Sequence, residues 1–372
     1  DVDNADVLDS IRKESNPRNG FYDFERWAKA FKTQSNEFDY VAELEDGRIP
    51  SDFSGGTLFR AMPALFESRD GVPYGHYLDG DGYIVKLSID KVKQQARFQS
   101  KFVRTDEFEA EERSGRILAR STFRTQRKPN RWSTELIGID LSNAFDLKLK
   151  NLANTNVVYW ANKLLVLFEA GIPYSMDPAS LDTLGKDDLG LPQKLNCGLP
   201  VLVPRLKENV PFIHDMLFGQ HCTAHPKFDP VDEVMVLWTW CAGAELEGIN
   251  SSGPLDSKPI IYFREFDNEM NCVTSKNTGS EQGVTDKETE DFDRATLERC
   301  LSDEKSQAIV LKDTSVAPHD FSITPNFYCI IENRLAGDTL PYILGTKCPA
   351  ECVNIQSEKK MQLHLVPRIK ER

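Results

Sequence analysis

Asn156-Val-Val-Tyr-Trp160, Ala161-Asn162 and Lys163-Leu-Leu-Val-Leu-Phe-Glu169 form the stretch whose reading decides the fold. Two β-rich runs flank a two-residue turn, which predicts an antiparallel hairpin. The next residues, Ile172–Gly185 (IPYSMDPASLDTLG), read as another short strand and a Pro-Ala-Ser turn. Strand, turn, strand, strand, turn is the pattern of one blade of a β-propeller. Outward from this segment, short β-rich runs alternate with turn signals. They are Thr57–Arg60, Tyr83–Ile89, Arg97–Arg104, Val157–Tyr159, Lys163–Glu169, Val234–Trp240, Ile260–Phe263, Ala308–Leu311, Tyr328–Glu332 and Met361–Val366. Helical stretches are few, so the chain reads as all-β: a sandwich, barrel or propeller. No clean internal repeat accompanies the strands.

Composition narrows the function classes. The chain has 372 residues, 40% of them hydrophobic, with 22 glycines, enough for a real core. Its 58 acidic and 45 basic side chains leave a net charge of −13, which argues against non-specific binding to nucleic acid or anionic membrane. Eight irregularly spaced cysteines point to a reduced compartment rather than a disulfide scaffold. The longest apolar run, Val234–Ala244, has 11 residues, about half of what a membrane-spanning helix needs. The N-terminal sequence from Asp1 carries no readable targeting peptide.

Residues 1–37 read as a polar arm with one short amphipathic helix, in which Phe24, Trp27, Ala28 and Phe31 share a face. That face either docks on the chain's own domain or touches a membrane surface. Residues 38–372 form the main domain, with insertions near 186–220 and 241–307. The run at 274–293 (TSKNTGSEQGVTDKETEDFD) cannot bury apolar surface and reads as a solvated loop.

Few residues are candidates for chemistry. The six histidines are His76, His214, His221, His225, His319 and His364. Two stand out by context: His225 in Thr223-Ala-His-Pro-Lys227 and His319 in Pro318-His-Asp-Phe-Ser-Ile-Thr324, each just before a strand. A histidine at the inner start of a strand can point into a propeller's axial channel. Cys348 and Cys352 read as buried thiols, since no second pair follows as a zinc site requires. Asp79-Gly-Asp-Gly82 reads as a turn rather than a calcium loop, which needs further carboxylates. Asn250-Ser-Ser252 matches a glycosylation sequon by rule alone.

Several motifs, in order, resemble the carotenoid cleavage oxygenase family. They are Gly47-Arg-Ile-Pro-Ser-Asp-Phe-Ser-Gly55 with Leu58-Phe-Arg-Ala-Met-Pro63; His76-Tyr-Leu-Asp-Gly-Asp-Gly82; and Phe102-Val-Arg-Thr105. Asn154-Thr-Asn-Val-Val-Tyr159 with Leu164–Tyr174 and Asp177–Gly185 follows, then the two histidine contexts. The ordered set covers roughly residues 40–368. Departures include Ala61-Met62, where the family has Asn-Gly.

The resemblance implies a seven-bladed β-propeller with a non-haem Fe(II) on its axis, held by four histidines. Three glutamates hydrogen-bond to those histidines. By motif, His225 and His319 match the first two iron ligands, and Glu169 matches the first glutamate. Such a centre suits the chemistry, because neutral imidazoles leave positions open for O2 and a carboxylate orients each ring. The remaining two histidines belong to later blades, and His364, in a Leu-His-Leu context, matches neither. The chain is therefore expected to carry about half of the family domain, the propeller being completed by further residues or a protein partner. The expected reaction is O2-dependent cleavage of a conjugated C=C bond in a carotenoid or apocarotenoid, with peripheral membrane contact and a plastid (thylakoid-associated) or, alternatively, cytoplasmic location. The alternative is a non-catalytic propeller remnant that binds carotenoid or serves as a subunit of a larger assembly. Isomerisation or stilbene cleavage on the same fold is equally compatible with the motifs.

Overall fold

The computed structural model describes residues 31–128, 142–191, 195, 201–202, 220–244, 257–274 and 307–368. Strands β1 (Phe38–Glu43), β2 (Gly56–Leu65), β3 (Asp81–Asp90) and β4 (Gln95–Phe102) form an antiparallel sheet in the order β1-β4-β3-β2. The hairpin at the centre of the sequence follows as β5 (Asn156–Trp160) and β6 (Lys163–Leu167), with Trp160 paired to Lys163. Ala161 and Asn162, at φ +48° and +61°, both sit in the left-handed region, as a two-residue type I′ turn requires. Ile172–Gly185 contributes two strands rather than one, β7 (Tyr174–Met176) and β8 (Thr183–Lys186), completing a second four-stranded sheet.

The third sheet gathers β9 (Val201–Leu202), β10 (His221–Cys222), β11 (Lys227–Asp229), β12 (Val234–Ala244), β13 (Ser257–Phe266) and β14 (Gln307–Val310) around β12. The fourth contains β15 (Phe321–Ile323) and β16 (Phe327–Glu332). A small ribbon of β17 (Leu335–Gly337) and β18 (Val353–Ile355) precedes β19 (Gln362–Pro367), which pairs with β16. All ten runs read from the sequence fall on strands. Within 241–307, β13 pairs along its whole length with β12.

The apolar run of β6 explains the packing. Leu164 and Val166 face the first sheet, packing with Ile84 and Val103. Leu165 and Leu167 point the other way, packing with Met235, Leu237 and Phe266 of the third sheet. A strand buried on both faces needs no alternation of polar residues. β12 repeats this: its Val236 and Trp238 turn towards Phe321, Tyr328 and Ile330 of the fourth sheet. Each fully buried aliphatic or aromatic side chain contributes about 1.5–3 kcal/mol. The sheets therefore stack face to face in chain order. The two outermost faces carry exposed apolar side chains: Tyr40 and Leu58 at one end are 51% and 61% exposed, although Phe108 covers Tyr83 and Phe102 on the same face, and Leu363 and Leu365 at the other end are 64% and 53% exposed.

A helix unanticipated from the strand pattern, α1 (Asp106–Ser114), follows β4. Thr105 caps it by accepting from the Phe108 N–H at 3.1 Å, acidic residues fill its first turn, and Gly115 closes it at φ +72°. Its Glu111 joins Asp81 around the fully buried Lys150 ammonium, both at 2.7 Å. Burial alone pushes Lys150 down, but the adjacent Asp81 carboxylate, Tyr74 and Glu111 outweigh it and hold the ammonium charged. A short second helix, α2 (Thr339–Ile343), brings Tyr342 against Arg120.

These contacts account for the Asp79–Gly82 turn. The buried Asp79 carboxylate accepts from the N–H groups of Phe123, Arg124 and Thr125 and from the Thr125 hydroxyl, all within 3.0 Å. Asp81 is consumed by Lys150 and the Tyr74 hydroxyl. Gly82 must be glycine, because a Cβ there would lie 2.0 Å from the Ala153 carbonyl oxygen. Cys348 and Cys352 are buried, and desolvation pushes the Cys348 thiol up to about 12. Of the amphipathic face in the N-terminal arm, Phe24, Trp27 and Ala28 lie outside the described residues, while Phe31 packs against Phe66 and Tyr77. Among the described residues no helix is long and apolar enough to cross a membrane.

Candidate metal centre

Glu169, His225 and His319 come from three separate segments of the chain and meet. β6 ends at Leu167, so Glu169 lies in the turn beyond it, which Gly171 closes by donating its N–H to the Phe168 carbonyl at 3.1 Å. The Gly171 carbonyl in turn accepts from the Cys222 N–H at 3.2 Å, fastening this turn to the segment that carries His225.

That segment is itself heavily anchored. Thr223 donates its N–H to the Trp238 carbonyl at 2.9 Å, and its hydroxyl accepts from the His225 N–H at 3.2 Å. The Asn156 amide donates to the Ala224 carbonyl at 2.8 Å. Pro226 cannot extend a helix or donate to a ladder, so the chain leaves His225 directly into β11. His319 stands two residues before β15.

The ring centroids of His225 and His319 are 4.4 Å apart and steeply inclined at 64°. One donor atom from each of the three residues falls within 4.8 Å of the other two. Glu169 Oε1 lies 3.2 Å from His225 Nε2 and closer still to His319 Nδ1. Yet Glu169 Oε1 and His225 Nε2 are buried and no hydrogen bond is aligned on either. Buried polar atoms left in this state are costly, by about 1–3 kcal/mol each, unless a further group satisfies them. Two imidazoles and a carboxylate converging without mutual hydrogen bonds fit a divalent transition metal. Cys222 is not one of the converging residues; it is buried, burial pushes its thiol up to about 12 despite the opposing charge of Arg264, and its Sγ donates to the Thr223 carbonyl at 3.4 Å.

The remaining histidines are placed elsewhere. His76 stacks on Tyr77 and Phe123 and accepts from the Leu78 N–H at 3.1 Å. His221 is buried beside Trp240. His364, on β19, meets the buried Glu332 carboxylate at 2.7 Å. His214 lies outside the described residues. Among the described residues, Glu169, His225 and His319 are the one group of this kind. Missed from the sequence were the anchors, Asn156 above all; its place in the Asn154-Thr-Asn156 motif was the available signal.

Comparison with known proteins places the chain in a family. The family model described as RPE65, retinal pigment epithelial membrane protein, matches residues 31–372. The apocarotenoid-15,15'-oxygenase of Synechocystis sp. is 30% identical over 359 residues, covering 95% of this chain and 57% of the relative. Carotenoid cleavage dioxygenase 7, chloroplastic, of Arabidopsis thaliana is 32% identical over 169 residues, covering 44% of this chain and 25% of the relative. The structure of cobalt-substituted Synechocystis apocarotenoid oxygenase superposes with a TM-score of 0.66 at 28% identity, covering 94% of this chain and 57% of that one. The chain thus spans a little over half the length of those Synechocystis relatives. Its mostly β architecture matches the carotenoid oxygenase fold. By its family match, its sequence relatives and its fold, the chain belongs to the RPE65/carotenoid oxygenase family.

Proposed function

We propose that this chain contributes part of the propeller and part of the iron centre of an oxygenase that cleaves a conjugated C=C bond in a carotenoid or apocarotenoid with O2. The observation that carries the reading is the convergence of Glu169, His225 and His319 with buried, unbonded donor atoms. Relatives named as apocarotenoid and carotenoid cleavage enzymes support the substrate class. The four stacked sheets are read as consecutive blades of a seven-bladed ring. The exposed apolar residues Tyr40 and Leu58, and Leu363 and Leu365, then mark the surfaces on which the remaining blades pack.

In this reading His225 holds the metal through Nε2, the buried nitrogen that makes no hydrogen bond. His319 would offer a ring nitrogen as well, its Nδ1 lying against Glu169. Glu169, set against both rings, would offset cationic charge and orient a ligand imidazole. Two neutral imidazoles add no charge of their own, and further histidines from outside this chain complete the set. Iron(II), when bound, supplies the redox chemistry by which O2 is activated. Plant relatives named as chloroplastic support a plastid location.

The test is metal analysis of the intact protein joined to an O2-dependent assay. Expected are about one iron per chain and loss of the polyene absorbance band on adding an apocarotenoid. Resveratrol and isoeugenol belong in the same panel, because relatives are named for those substrates. Iron binding with turnover of a stilbene only would overturn the carotenoid assignment. Pigment binding with no iron and no turnover would establish the non-catalytic alternative.

A further inference from the structure

We propose that Lys227 and Asp320 form a positioning pair that holds the two histidine-bearing segments at metal-binding separation; this rests on the metal reading above. Lys227 follows His225 by two residues and opens β11, in the third sheet. Asp320 follows His319 directly and precedes β15, in the fourth sheet. The Lys227 ammonium lies 2.7 Å from Asp320 Oδ1 and 5.6 Å from the centroid of the Phe321 ring. One ion pair therefore spans the two sheets within two residues of both histidines.

The need for it differs between the two sides. His225 is anchored through Thr223, Ala224 and Asn156, and its side chain is 24% exposed. His319 is 68% exposed, and the Asp320 carboxylate also caps the Phe321 N–H at 2.7 Å. Fixing Asp320 thus fixes the residue that follows His319 and orients the entry to β15. The pair is partly solvated, with Lys227 29% and Asp320 50% exposed, so its contribution is modest. A metal needs both imidazoles at once, and a loop free to drift lowers the effective concentration of the second ligand.

Cobalt(II) is the probe, titrated into the intact metal-free protein and read from its d–d absorption. Lys227→Met and Asp320→Asn are each expected to weaken cobalt binding about fivefold, the worth of a partly exposed pair. The cobalt bands should shift, and the melting temperature of the metal-free protein should stay within a degree or two. Lys227→Arg should keep most of the affinity. Single variants that bind cobalt like the wild type overturn the proposal, as does a metal-free melting temperature that falls in step with affinity. Wild-type protein that takes up no cobalt overturns the metal reading itself, and the pair's role with it.

Discussion

Among the described residues, two glutamate–histidine clusters stand out, and they are built oppositely. Glu332 is 1% exposed and accepts from the Asp313 N–H at 2.5 Å, the Thr314 N–H at 3.1 Å and His364 Nε2 at 2.7 Å. Its acceptor capacity is spent within the protein, and its histidine is held across the β16–β19 pair. Glu169 gathers two histidines, yet its buried Oε1 has no aligned hydrogen bond, and neither has His225 Nε2. Saturated clusters stabilise a fold; clusters left short of partners are where a ligand can complete the geometry. Residue type alone does not separate the two, since both are a carboxylate with imidazole.

The sharpest break of that comparison is His225→Ala. Metal retained by the purified chain should fall to background, while His364→Ala leaves metal content unchanged. Elemental mass spectrometry of both variants decides it, and equal losses would mean the clusters are not different in kind.

Glu332→Ala should act in the reverse sense. It strands the Asp313 and Thr314 N–H groups and the His364 ring, costing about 3 kcal/mol of stability. Metal content should not change. Urea unfolding beside metal analysis reads both quantities, and a variant that loses metal but not stability would invert the assignment.

Glu169→Gln keeps the shape and removes the charge. Metal affinity should drop about 10–100-fold, the usual cost of losing a carboxylate that orients a ligand imidazole. Stability of the metal-free protein should hold or rise slightly, because a neutral amide relieves a buried, unbonded carboxylate oxygen. A cobalt titration that matches wild type would remove Glu169 from the centre.

The same contrast shows how much was legible beforehand. Strands were readable because burial on both faces leaves continuous apolar runs such as Leu164–Leu167, and because the Ala161-Asn162 pair marks a tight turn. Histidines before β11 and β15 were legible as motif positions; their meeting with Glu169 depends on three sheets stacking, a long-range fact that no local pattern encodes. Helix α1 escaped a reading keyed to strands, although Thr105, the acidic first turn and Gly115 carry its start and stop signals. The charge clusters escaped too. Lys150, Asp81 and Glu111 are far apart in sequence, and nothing local says that a lysine will be buried.

A third carboxylate sharpens the comparison by pH. Asp229 is paired with the buried Arg368 guanidinium at 2.6 Å, which also meets Glu265 at 2.8 Å. Burial pushes Asp229 up, but Arg368 and the N–H groups of Asp232 and Val231 outweigh it and hold its carboxyl at about 2, against 3.8 ordinarily. A depressed value in the folded state stabilises the protein above the unfolded value and is lost as pH falls through the folded one. The contribution, about 2 kcal/mol, should be complete above about pH 4 and gone below about pH 2. Urea midpoints of wild type and Asp229→Asn should therefore differ by a constant amount at neutral pH and converge as pH falls through that window. Arg368 does not titrate there, so the convergence reports Asp229 alone. A difference that survives below pH 2 would assign the loss to packing around Arg368 rather than to charge. It would also mean that a saturated carboxylate here is held by shape, which the Glu332 cluster, with its directional N–H donors, is not.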